Sequence, residues 1–159
     1  MILKEHVARF MRAARDKARE GVRRGQTPFG ACVVRHGKVI ACEHNAVWKQ
    51  TDCTAHAEIQ AIRKACKRLK TIDLSDCEIF STCEPCPMCF SACHWARIPK
   101  IYYGAGIRDA KRFGFNELEI SNEQMRREGN SSMKIKGGLM SKECIALFKE
   151  WEKRKGTSY

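Results

Sequence analysis

The chain has 159 residues, the size of one domain with room for a real hydrophobic core. Hydrophobic residues make up 43% and charged residues 30%, an ordinary globular balance, and no apolar run approaches the roughly 20 residues that a membrane span needs. The formal net charge of +12 admits a nucleic acid as partner, but acids are interleaved with Lys and Arg in the first and last stretches, so the charge reads first as solvated helix faces.

Charges spread through MILKEHVARFMRAARDKAREG speak against a signal peptide. The expectation is a cytoplasmic protein whose ten cysteines are reduced thiols, small buried hydrophobes or metal ligands rather than disulfides. Residues 3–20 place Leu3, Val7, Phe10, Met11, Ala14 and Ala18 on one face of a helix. Gly21, Gly25 and Pro28 mark irregular chain after it. GACVVRHGKVIAC is two apolar runs around His36-Gly37 and reads as a hairpin. TAHAEIQAIRKACKRL reads as a helix with Asp52 or Thr54 as candidate N-cap. CEIFSTC is a short buried strand, CPMCFSACHWARI a second helix and KIYYGA another strand. Residues 128–140 are a Gly/Ser-containing connector. A closing helix follows, with Ile145, Phe148 and Trp151 at i, i+3 and i+6. A hairpin followed by helix, strand, helix, strand predicts an α/β layered fold on a mixed sheet. Residues 1–127 form the core and 128–159 the connector, helix and tail, one domain overall.

The chemistry lies in two short stretches. STCEPCPMCFSACHW spaces Cys83, Cys86, Cys89 and Cys93 as an iron–sulfur run would. That run ends in Pro, however, whereas His94 stands here, and Cys89 and Cys93 are i, i+4 on a helix. Upstream, His56-Ala57-Glu58 opens the other predicted helix. H-x-E alone is weak, but paired with P-C-x-x-C it is specific. Each helix follows a strand, so both helix starts should emerge on one sheet edge, where positive N-terminal dipoles favour thiolates. His56, Cys86 and Cys89 give zinc three ligands and leave one tetrahedral position for water, the pattern of a catalytic site. A closed structural site with Cys53 or Cys83 as fourth ligand would leave Glu58 unexplained. Cys83 and Cys93 then read as buried thiols, as do Cys32, Cys42, Cys66 and Cys77, with Cys144 on the last helix either buried or exposed.

H-x-E…P-C-x-x-C is the recognised signature of zinc-dependent nucleobase and nucleoside deaminases, and the chain resembles that superfamily over most of its length. The resemblance implies a cytidine-deaminase-like α/β/α fold with a five-stranded mixed sheet, one Zn2+ per chain, and Glu58 as the catalytic proton carrier. TPFGACVV, HN at 44–45, TAHAEIQAIRKAC, CEPCPMC, WARI, FGF and Tyr159 are similar to the bacterial guanine deaminases. That likeness implies a purine substrate, guanine becoming xanthine and ammonia, bound by Phe29, Asn45, Ala57, Trp95, Glu117 and Tyr159. It also implies a homodimer in which a swapped tail closes the partner's site. His44 carries no role. An acidic pair usual after Gly-Phe is here Asn116-Glu117, which puts guanine itself in question more than deamination. The rival readings are a tRNA adenosine deaminase, a deaminase of purine nucleosides or of an amino heterocycle such as cytosine, and a non-catalytic metal-binding module.

Overall fold

The apolar stripe at the N-terminus becomes α1 (Ile2–Arg23). The computed structural model describes residues 2–159, and within α1 the side chains of Glu5 and of Val7 onward; Leu3 of the stripe lies outside the described side chains. The two runs around His36-Gly37 pair as antiparallel strands β1 (Gly30–Arg35) and β2 (Lys38–His44). His36 (φ 47°) and Gly37 (φ 72°) are both left-handed, the two-residue turn whose twist matches the strands it joins. Next come α2 (Val47–Gln50), α3 (Ala57–Leu69), β3 (Cys77–Cys83), α4 (Pro87–Trp95) and β4 (Lys100–Ala105). The chain ends with α5 (Ile107–Arg112), α6 (Asn122–Glu128), β5 (Lys134–Lys136) and α7 (Ser141–Lys153).

The described residues form a five-stranded sheet in the order β2-β1-β3-β4-β5. β1 is antiparallel to both β2 and β3, and β3, β4 and β5 are parallel. β2 and β3 therefore run the same way, and the helices that follow them, α3 and α4, start at the same edge of the sheet. One face buries Ala57, Ala61, Ile62 and Ala65 of α3 and Phe90 and Cys93 of α4 against Val33, Ile79 and Ile101. The other face packs Phe10 and Ala14 of α1 on Cys32, Phe80 and Tyr102, with the Phe80 and Tyr102 rings stacked at 4.5 Å. α7 lies beside α1 on this second face, with Leu147, Phe148 and Trp151 buried. The α/β/α architecture on a mixed sheet is thus present. Gly30 sits where α1 crosses closely; a Cβ there would run into the Ala14 carbonyl and Ala18.

Several expectations are corrected. The N-cap of α3 is His56, neither Asp52 nor Thr54. The Asp52 carboxylate instead closes a local turn by accepting from the Thr54 N–H and hydroxyl at 2.8 and 2.7 Å. Connector 128–140 contains β5, which extends the sheet by pairing Lys134, Ile135 and Lys136 with Lys100, Ile101 and Tyr102. Cys32 and Cys42 are not separate thiols: hairpin register sets them directly opposite, with Cα atoms 4.1 Å apart, and they are disulfide-bonded. Cys77, Cys83, Cys93 and Cys144 are buried free cysteines, whereas Cys66 is only half-buried.

Candidate active site

The two helix starts meet as the strand directions require. His56 is the N-cap of α3 and Cys86 the N-cap of α4, and neither side chain caps its own helix, so both are free to face the gap between them. Cys89 lies one turn into α4 and is fully buried. His56 Nδ1 stands 3.7 Å from Cys86 Sγ and 3.5 Å from Cys89 Sγ, and the three atoms lie within 4.8 Å of one another. A tetrahedral zinc with bonds of about 2.0–2.3 Å separates neighbouring ligand atoms by about 3.5–3.8 Å, so this donor set fits the ion. The neighbouring Cys89 side chain holds the Cys86 thiol down to about 4, and the same contact pushes Cys89 up. Neither Cys53 nor Cys83 belongs to the cluster. Cys83 points its thiol at the Gly106 carbonyl, so the four-sulfur reading and the closed four-ligand reading both fail on geometry.

Glu58, in the first turn of α3, is buried. Its Oε1 accepts from the Ser81 hydroxyl at 2.9 Å, and Oε2 accepts from the Cys89 thiol at 3.5 Å. Burial pushes its carboxyl above the usual range. Beside it opens a cavity of about 270 Å³, walled by Phe29, Phe115, Met88 and Leu118 and reached by Glu84, Asn116 and Glu117. Burial pushes the Glu117 carboxyl up to about 7. Phe29 packs edge-on against Phe115 at 4.9 Å and Phe148 at 5.6 Å, so this pocket wall is braced by the core.

Tyr159 covers the cavity of its own chain. Its ring lies 5.8 Å from that of His56 and 5.9 Å from that of Phe115. Its hydroxyl accepts from Asn45 Nδ2 at 2.6 Å, and its carbonyl accepts from the Asn116 N–H at 3.2 Å. Trp48, on α2, donates its indole N–H to the Thr157 carbonyl at 3.0 Å and stands edge-on to Tyr159.

Not every expected pocket residue is there. Asn45 is fully buried behind Tyr159, with Oδ1 taken by the Val47 N–H at 3.0 Å. Ala57 is buried in the core. Trp95 is 82% exposed and lies in a groove with Ile59, Ile62 and Ile72, outside the cavity. The reason is helical phase: Cys93 points inward, and a residue two positions on faces away. Ser81, Glu84, Trp48 and Asn122 were not anticipated. Strand alternation in CEIFSTC is a usable signal for Ser81, which shares a face with Ile79; the other three have no signal in sequence spacing.

The chain is similar to known proteins over most of its length. The model of the cytidine and deoxycytidylate deaminase zinc-binding region matches residues 4–105. The chain is 46% identical over 115 residues to a guanine deaminase of Bacillus subtilis, covering 72% of this chain and 74% of that one. It is 42% identical over 96 residues to a tRNA-specific adenosine deaminase of Aquifex aeolicus, covering 60% and 64%. The solved structure of a guanine deaminase from Nitrosomonas europaea matches with a TM-score of 0.85 at 28% identity, covering 92% of this chain and 84% of that one. The chain belongs to the zinc-binding cytidine and deoxycytidylate deaminase family.

Proposed function

We propose that the protein hydrolyses the exocyclic amine of guanine, giving xanthine and ammonia. The observation that carries this reading is a further, half-buried carboxyl, Glu117, facing the same cavity as Glu58 and the His/Cys/Cys set. Guanine presents two adjacent N–H donors on one edge, N1–H and the amine, which a carboxylate can accept together. Phe29 and Phe115, packed against each other, give the cavity an aromatic wall on which a flat base can lie.

One zinc per chain, held by His56, Cys86 and Cys89, would supply an open position at which water becomes a nucleophile near neutral pH. Glu58 takes the proton of that water and delivers it to a ring nitrogen as the oxygen adds at C2. It then takes the proton of the hydroxyl now on C2 and passes it to the amine as the C2–N bond breaks and the C2 carbonyl forms, so one carboxyl serves as base and then as acid. Its burial suits the work, because a carboxyl raised toward neutrality gives up a proton as readily as it accepts one. Ser81 keeps one oxygen fixed and turns the other toward Cys89. Glu117 grips the base, and Tyr159 closes the cavity and excludes water.

A tRNA adenosine substrate is favoured by the +12 charge and by the Aquifex aeolicus relative. The Tyr159 cover opposes it, since a nucleotide still joined to its strand needs an open mouth. Ammonia release measured with guanine, guanosine, cytosine, adenine and tRNA decides between them. Turnover of guanine above the others is expected; inosine formation in tRNA with inert free bases overturns the reading.

The protein also acts, in this reading, as a cytoplasmic homodimer. The exposed groove of Ile59, Ile62, Ile72 and Trp95 supports a second copy as partner. In a dimer the tail can lie on its own pocket or exchange with its neighbour's. Mixing a His56→Ala chain with a chain lacking residues 156–159 separates the two: recovered activity means exchange, and none means each tail serves its own site.

A further inference from the structure

Between β3 and α4 the chain runs Glu84-Pro85-Cys86-Pro87 and carries the first thiolate ligand of the metal set. Two prolines leave this loop short of backbone donors and stiff in φ. What holds its far side is a residue distant in sequence. Asn122, the first residue of α6, donates its side-chain amide to the Pro85 carbonyl at 2.6 Å. Its partner is a carbonyl, so the atom facing Pro85 must be the nitrogen. Asn122 is fully buried, and its other amide atom, Oδ1, has no hydrogen-bond partner. A buried amide oxygen left unpaired is unfavourable, so packing alone does not explain an Asn here.

Glu84 secures the same residue from the other side. One carboxylate oxygen accepts from the Asn122 backbone N–H at 2.8 Å, and the other accepts from the Ile107 N–H at 3.2 Å. Ile107 and Asn122 bracket the segment that carries Phe115, Asn116 and Glu117 into the cavity. One carboxylate therefore pins both ends of the substrate-facing segment, and the amide it orients pins the ligand loop.

We infer that Asn122 and Glu84 form a latch that positions Cys86 and, through the same hydrogen bonds, the Glu117 segment. Both are positioning residues: Asn122 acts through the Pro85 carbonyl on the metal loop, and Glu84 acts through Asn122 and Ile107. The inference rests on the metal-site reading above and adds a determinant of metal retention outside the three ligands. Partners of this kind set how firmly ligands are presented, and their loss typically weakens metal binding by about 10–100-fold.

The test uses the zinc-loaded protein and its cobalt-substituted form. Asn122→Asp keeps the shape and removes the donor. Zinc transfer to a coloured chelator should speed up at least tenfold, and the cobalt d–d bands should shift relative to wild type, because the ligand loop has lost the donor to the Pro85 carbonyl. Glu84→Gln keeps the shape and loses one acceptor; it should release zinc faster by a smaller factor and raise KM more than it lowers kcat. Leu147→Val, a core change in α7, which makes none of the latch hydrogen bonds, serves as the control for general destabilisation. It should lower the melting temperature without changing zinc release or the cobalt spectrum. If Asn122→Asp does not fold, Glu84→Gln addresses the same latch. Wild-type release and an unchanged spectrum in the latch variants overturn this inference alone, as does equal acceleration in Leu147→Val. A wild-type protein that takes up neither zinc nor cobalt overturns the metal-site reading, and this inference with it.

Discussion

The metal corner and the C-terminal tail face the same cavity but are built differently. His56, Glu58, Cys86 and Cys89 sit within the first turns of two helices, and the direction of β2 and β3 fixes where those turns begin. Tyr159 reaches the cavity through an irregular segment after α7, held by hydrogen bonds from Trp48, Asn45 and Asn116. The first region is positioned by sheet and helix packing, the second by a few polar contacts near the surface. The difference teaches where each should fail: the corner all at once, the tail by degrees.

Removing a metal ligand should have the largest effect. Cys86→Ala or His56→Ala leaves two protein ligands, too few for firm retention, so both zinc and ammonia release should vanish. Elemental analysis beside a guanine assay checks it; iron with labile sulfide in anaerobically prepared protein would contradict the donor set. Glu58→Gln comes next. The amide nearly matches the carboxyl in shape but cannot carry the proton, so zinc should stay while kcat falls by about 10²–10⁴-fold or more. Near-normal turnover would assign the proton to another carboxyl facing the cavity, with Glu117 the first to test.

The corner was legible because its chemistry is local: two short motifs, each at the start of a helix whose apolar spacing is plain. The hairpin, β3, α3, α4 and β4 were legible for the same reason. What escaped depends on distant partners. β5 is three residues, Lys134–Lys136, and exists because β4 offers an open edge. α2, α5 and α6 are short, and helices of that length hold only through tertiary contact. Asn122 and Glu84 meet across 38 residues of sequence, and no spacing rule connects them. Trp95 was misplaced because its neighbours in WARI suggest a site, whereas its helical phase turns it to solvent. The Cys32–Cys42 pair was readable in principle, since a two-residue turn at His36-Gly37 fixes which residues stand opposite.

Predictions for the tail are smaller and graded. Deleting residues 156–159 removes Tyr159 and the Thr157 carbonyl that Trp48 holds, yet leaves the metal corner and most of the core. Zinc content and melting temperature should stay close to wild type while kcat/KM drops at least tenfold. Tyr159→Phe keeps the ring over the cavity and loses the bond from Asn45. One hydrogen bond of about 0.5–1.5 kcal/mol corresponds to a loss of roughly 2–12-fold in kcat/KM. A fully active deletion would show that the cavity closes without the tail, and the contrast between the two regions would be that of a site with an ornament.

The smallest effect belongs to the attachment of the helix that carries the tail. Arg19 of α1 donates to both carboxylate oxygens of Glu150 on α7, at 2.7 and 2.9 Å, with both side chains partly exposed. The hydrogen bond from Arg19 holds the Glu150 carboxyl below the usual range. A carboxyl depressed in the folded chain stabilises above its unfolded pKa, and that contribution is lost as pH falls through the folded one. A partly exposed pair is worth about 0.2–1 kcal/mol, so Glu150→Gln should lower the melting temperature by roughly 1–4 °C at pH 7. The gap between variant and wild type should begin to close as pH drops below the ordinary carboxyl value of 4.5 and go on closing as pH falls through the lower value of the folded chain. High salt should narrow it too, by screening the pair. Zinc content and kcat should not move, because Phe148 and Trp151 keep α7 seated on the core. Melting curves at several pH values decide it: a gap unchanged down to pH 3 would mean that Glu150→Gln acts through packing rather than charge. A gap accompanied by lost turnover would mean that the seat of α7 and the closure of the cavity are one device, and that the tail is less separable from the core than its contacts suggest.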